Sequence, residues 1–145
     1  MKRHSALLLE SYRRLTGREL LPGARAGEDP VEGLQAASFV LVSHGPEADP
    51  ILNYGNRRAL ELWEMGWEEF TRTPSRLTAE VPDRAERARL LAEVGRKGFI
   101  DDYSGIRISK GGRRFRITGA TVWNLVDERG EYRGQAATFS DWTYL

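Results

Sequence analysis

From residue 99 onward the chain changes period. The runs "FIDDYSGIRIS" (99–109), "RRFRITGATVWNLV" (113–126) and "YRGQAATFSDW" (132–142) alternate and carry many β-branched and aromatic residues, as strands do. Only "KGG" (110–112) and "DERG" (127–130) separate them, and both are turn sequences. Connections that short join antiparallel neighbours, because a parallel crossover needs a dozen or more residues. The last third of the chain therefore reads as a three-stranded meander, and the rest must cover it.

Two short strands precede it: "FVLVS" (39–43) and "ILNY" (51–54), joined by the turn-rich "HGPEADP". A helix comes next over 56–65, with Ala59, Leu62 and Trp63 on its apolar face and Asn56 placed to cap it. "WEEF" extends it as a short helical turn, and "RTPSRLTAEVP" is irregular. Asp83, with Glu86 three residues on, makes a capping box for a third helix whose apolar stripe is Ala88, Leu91 and Val94. At the front, "SALLLESYRRL" (5–15) reads as a helix capped by Ser5, with Leu8, Tyr12 and Leu15 in a stripe. The Pro/Gly-rich 22–33 reads as a linker. These readings divide the chain into a helix and linker over 1–34 and a compact domain over 35–145. The order within the domain is β-β-α-α-α-β-β-β, an α+β fold with a five-stranded antiparallel sheet, helices over one face and the extra N-terminal helix.

Composition removes several functions. With 22 basic and 21 acidic residues the net charge is +1, so no global field recruits nucleic acid or a membrane surface. There is no cysteine, which removes disulfides, thiolate catalysis and cysteine-held metals, and suits a cytoplasmic protein. The apolar run near the N-terminus ends at Glu10, too short for a signal peptide or a membrane span.

The order and several short motifs resemble a known family. "NRRALELWEMGWEEF", "EVPDRAERARLL", the hairpin "RISKGGRRF" and the terminal Asp141-Trp142-Thr143 match the PAS pattern, in that order. More narrowly, "FVLVSHGPEADPILNYGNRRALELWEM" and the region C-terminal to it resemble the MEKHLA domain, a PAS-related module. The resemblance implies a cavity between the sheet and the helices. It would be lined by Trp63 and Phe70 from the helical side. From the strands, parity on that fold adds Arg107, Phe115, Ile117, Thr121, Gln135 and Phe139, with the small Gly119 and Ala137 leaving space. Ile106, Ile108 and Val122 would then face outward.

PAS-like domains commonly bind flavin or haem, and both are disfavoured here. The photoactive flavin type needs a cysteine, and its three sheet amides are matched by Arg107, Ile117 and Phe139. Haem wants an axial histidine, and His4 and His44 read as surface residues. No metal site and no catalytic residue is found: adjacent Asp101 and Asp102 point apart in a regular strand, and no nucleophile has a base beside it. Arg107, facing inward, needs a carboxylate such as Asp101, Asp102 or a helix glutamate, a ligand anion, or solvent.

The expected function is a stand-alone sensory or regulatory module that binds a small ligand, a regulatory protein partner, or both. Two other readings are an enzyme acting on an anionic substrate in the same cavity, and an interaction domain with a filled core. The apolar stripe of the first helix needs cover, from the outer sheet face or from a second subunit, and a homodimer is the expectation.

Overall fold

The computed structural model describes residues 2–22, 29–80 and 84–145. The chain runs α1 (Lys2–Thr16), α2 (Pro30–Gln35), β1 (Val40–His44), β2 (Leu52–Gly55), α3 (Arg57–Trp63), α4 (Trp67–Phe70), a 3₁₀ turn (Ser75–Thr78), α5 (Arg84–Lys97), β3 (Phe99–Ile108), β4 (Arg114–Val126), β5 (Tyr132–Phe139) and β6 (Asp141–Tyr144). The sheet is antiparallel with strand order β2-β1-β5-β4-β3. The last alternating run divides at Ser140, and β6 continues along β4 by pairing Ile117 with Trp142. The Asp83 cap expected for α5 and positions 23–28 of the expected linker lie outside the described residues.

Each sheet face carries its own apolar core. On one face α3, α4 and α5 cover a cluster that includes Trp63, Phe70, Val94, Phe115, Ile117 and Phe139. On the opposite face α1 and α2 cover Leu41, Tyr54, Trp123 and Leu125 with Leu8, Tyr12 and Leu34. The stripe of α1 is thus covered by its own sheet: Leu8 is fully buried, and the Tyr12 and Trp123 rings meet edge-on at 4.9 Å. Ser11 fastens the helix, its hydroxyl donating to the Val126 carbonyl at 3.0 Å and accepting from the Val126 amide at 3.1 Å.

Several local expectations are corrected. α1 begins at Lys2, so Ser5 lies inside the helix and is buried rather than capping it. Part of the expected linker is α2, started by Asp29, which accepts from the Val31 amide, and by Pro30 at the first helical position. On α5, Leu91 faces solvent at 59% exposure, while Leu90 and Val94 pack inward.

Two irregularities set which strand residues face which core. The β3–β4 register shifts between Ile100 and Tyr103, and shifts back between Tyr103 and Gly105. The first shift puts an extra residue in β3 at Asp101–Asp102, and both side chains are exposed. The second puts an extra residue in β4 between Ile117 and Ala120, where Gly119 takes φ +63°, a conformation that glycine reaches without a Cβ penalty. A bulge of this kind reverses parity. Phe115 and Ile117 face the α3–α5 side as strand parity predicts, but beyond Gly119 it is Ala120 and Val122 that face it. Thr121 turns to the opposite side, beside Tyr12 and Leu20, and the expected placements of Gly119, Thr121 and Val122 are reversed.

Candidate functional site

Asn56 anchors the helical wall of the site. Its Oδ1 accepts from the Ala59 amide at 3.1 Å, capping α3, and from the Leu41 amide at 3.2 Å. Its Nδ2 donates to the carbonyls of Leu34 at 3.1 Å and Phe39 at 2.9 Å. One fully buried side chain therefore ties α2, β1 and α3 together with every polar atom satisfied. At the far end of α3, Glu64 adopts the left-handed conformation, with φ 62°. The β3–β4 hairpin closes this end: the Lys110 amide donates to the Trp63 carbonyl at 3.0 Å, and the Ser109 hydroxyl to Glu64 Oε1 at 2.6 Å. The basic hairpin tip is thus tethered, with Lys110 also paired to Glu69 at 2.9 Å.

Between this wall and the sheet lies a cavity of about 130 Å³. It brings together six of the eight residues expected at a ligand site: Trp63, Phe70, Arg107, Ile117, Gln135 and Phe139. Phe115 is fully buried in the same core, edge-on to Trp63 with ring centroids 5.4 Å apart, and supports the wall from behind. Thr121 is on the other side of the sheet, because of the bulge at Gly119. Tyr103, Thr78, Leu90 and Val122 line the cavity without having been expected there. Val122 was hidden by the bulge at Gly119, whereas Tyr103 shares the parity of Arg107 and alternation counted back along β3 places it inward.

The polar groups of the wall differ in how well they are satisfied. Trp63 Nε1 donates to the Thr78 carbonyl at 3.2 Å, and the Thr78 hydroxyl to Ser75 O at 2.7 Å. Gln135 Nε2 donates to Asn124 Oδ1 at 3.2 Å. Arg107 has no ion-pair partner among the described residues. The two aspartates expected for it are taken, Asp101 by Arg18 at 3.3 Å and Asp102 by Arg89 at 2.8 Å. The Arg89 hydrogen bond holds the Asp102 carboxyl below its ordinary range.

The second titratable cluster sits across the sheet, under α1. His4 Nε2 is 2.9 Å from the Ser43 hydroxyl, which in turn donates to Asn53 Oδ1 at 2.6 Å. The imidazole lies against the Tyr54 ring, centroids 5.6 Å apart. Burial, and then the positive N-terminus, lower the His4 pKa from its ordinary value. Burial pushes the Tyr54 hydroxyl up to about 12. His4 is therefore an interface residue of α1 rather than a surface one. Ser43 is only 2% exposed, so this histidine–serine contact has no access for a substrate. Among the described residues no cluster of three or more histidines and carboxylates is placed to hold a metal. No helix among them is long and apolar enough to cross a membrane.

The fold has well-defined relatives among solved structures. The chain is similar to the PAS domain of a protein from Colwellia psychrerythraea, at 13% identity over 79% of this chain and 92% of that one, with TM-score 0.62. It is also similar to the fungal blue-light photoreceptor Vivid in its light-state dimer, at 16% identity over 90% of this chain and 91% of that one, with TM-score 0.58. An RNA-binding light-oxygen-voltage receptor matches at 15% identity, with TM-score 0.63, over 81% of this chain and 35% of that longer one. At such identities the likeness establishes the PAS fold and nothing about ligand chemistry. No curated protein matches the chain. The model of the MEKHLA domain matches residues 2–144, spanning α1, α2 and the whole sheet, and on that match the chain belongs to the MEKHLA domain family.

Proposed function

We propose that this chain is a sensory or regulatory module whose α3–α5 cavity binds a small molecule and whose occupancy is read by a protein partner. The observation that carries the reading is the cavity itself, about 130 Å³, mostly apolar and lined by an arginine with no carboxylate opposite it among the described residues. An apolar pocket with a few converging polar groups is the usual form of a small-molecule site.

The residues do not fit the cofactors associated with this fold. A drug-sized ligand occupies roughly 300–1,000 Å³, several times this volume. The three positions matching the flavin-binding amides are Arg107, Ile117 and Phe139. His4 lies on the opposite sheet face, and the Nδ1 of His44 lies 2.8 Å from the Gly45 carbonyl. A homodimer belongs to the same proposal in a narrower form. With α1 covering its own sheet, association falls to the remaining outer surface near half-buried Ile106 and Ile108.

The test is native mass spectrometry of freshly purified protein beside Ala137→Leu, which fills the cavity from β5. The reading predicts an added small-molecule mass that denaturation releases and the variant lacks. A mass equal to the bare chain in both proteins counts against it.

A further inference from the structure

The cavity wall is asymmetric in charge. Among the described residues Arg107 is the one lining residue with a fixed charge, and none of those lining residues is an aspartate or glutamate. A guanidinium carries five N–H donors. Among the described residues Arg107 makes one hydrogen bond, from Nη1 to the Ile106 carbonyl at 3.3 Å. Besides Asp101 and Asp102, the nearby Glu80 is also taken, by Arg114.

A second donor stands beside it. Tyr103 is 2% exposed, and among the described residues its hydroxyl makes no hydrogen bond. Its ring lies 5.7 Å from the Arg107 guanidinium carbon, which holds the cation without neutralising it. Gly105 lies between the two along β3. A Cβ there would stand 3.0 Å from Arg107 Nη1 and 3.1 Å from the Tyr103 hydroxyl. Both groups therefore converge on the space that this glycine leaves open.

Trp63, Thr78 and one N–H of Gln135 have partners within the protein. Much of the remaining lining is apolar, from Val42, Leu52, Leu90, Ile117, Val122 and Phe139. The fixed positive charge thus stands beside the Tyr103 hydroxyl, and the rest of the described lining is mostly apolar with Ser75, Thr78 and Gln135 interspersed.

The geometry points to Arg107 and Tyr103 as a carboxylate clamp, so that the ligand of this cavity is a small monocarboxylic acid with an apolar body. The clamp rests on the proposed ligand-binding role of the cavity. A carboxylate matches a planar guanidinium and accepts from a hydroxyl at the same time. One anionic group offsets the single fixed charge of the wall. For size, an engineered cavity of about 150 Å³ takes benzene, so about 130 Å³ suits a body of roughly six carbons.

Benzoate and its neutral counterpart benzyl alcohol are the probes. Each is titrated into the full chain by calorimetry, with methyl NMR to locate the bound molecule. A charge-assisted pair with this half-buried arginine predicts benzoate binding roughly 10-fold or more tighter than benzyl alcohol. Arg107→Met should abolish that preference and leave benzyl alcohol binding intact. Tyr103→Phe should reduce it by a smaller factor. Salt dependence needs no variant: benzoate affinity should fall with added sodium chloride while benzyl alcohol affinity holds. Equal affinities in the unaltered chain, or benzoate shifts confined to residues outside the cavity, overturn the clamp and leave the cavity reading standing. No binding of either probe overturns the cavity reading, and the clamp with it.

Discussion

Asn56 and Tyr54 are two buried polar residues close in the chain, with opposite consequences. Asn56 fills all four of its hydrogen bonds within the protein. Asn56→Ala removes a helix cap and orphans buried backbone groups, so a loss of about 3 kcal/mol in chemical denaturation is expected. A loss below about 1 kcal/mol would show that water replaces it without penalty. Tyr54 is fully buried, and its hydroxyl has no partner among the described residues. Tyr54→Phe should therefore stabilise the protein by about 1 kcal/mol, and a drop in melting temperature would mean the hydroxyl is bonded after all. The capping role of Asn56 was legible because a polar residue before an apolar helical stretch has one dominant use. The face of Thr121 was not legible: its side depends on a one-residue bulge at Gly119, and bulges leave the alternation pattern intact while reversing what it means.

At the scale of elements, α1 is the informative case. Its stripe of Leu8, Tyr12 and Leu15 was readable from spacing, but its position was not, because spacing shows that a face needs cover and not which surface supplies it. The contact is partly polar: His4, Ser5 and Ser11 all meet the sheet side. The folded-state pKa of His4 lies below its ordinary value of 6.5 through burial and the N-terminal charge. The unfolded chain then binds the proton more readily, so stability is full above pH 6.5 and falls as pH drops from there to the folded value. The carboxylates Glu80 and Asp102 are held below their ordinary values of 4.5 and 3.8 by Arg114 and Arg89, so their contribution is lost only in more acid solution. Denaturation curves at pH 7.5 and about pH 5 should differ, and His4→Gln should flatten that difference. An unaltered slope in the variant would place the pH response elsewhere. α2 shows a signal overlooked: Asp29-Pro30 is a cap followed by a first-turn proline, masked by the glycines around it.

At the scale of the molecule, a single sheet separates two cores, and the cavity between sheet and helices lies on the α3–α5 side. The β3-β4-β5 meander was legible because short turns force antiparallel neighbours, whereas the β1–β5 pairing that joins it to the first two strands is a contact distant in sequence that no turn specifies. The cavity's membership was legible for the residues before the Gly119 bulge and on β5, where parity runs undisturbed from Gln135 to Phe139. Self-association is a separate question for the whole chain. Light scattering of full-length protein should return twice 16.4 kDa, and a mass of 16.4 kDa at high concentration would contradict the proposed dimer.

A ligand-binding role for this chain depends most on the α3–α5 cavity being an accessible apolar space. Methyl-labelled protein under xenon pressure measures this directly, since xenon enters apolar cavities of this size and makes no polar contacts. Saturable shifts centred on the methyl groups of Leu90, Ile117 and Val122 are predicted, with their loss in Ala137→Leu. Shifts that are absent there, or that gather instead around Leu8 and Leu125 beneath α1, would contradict it.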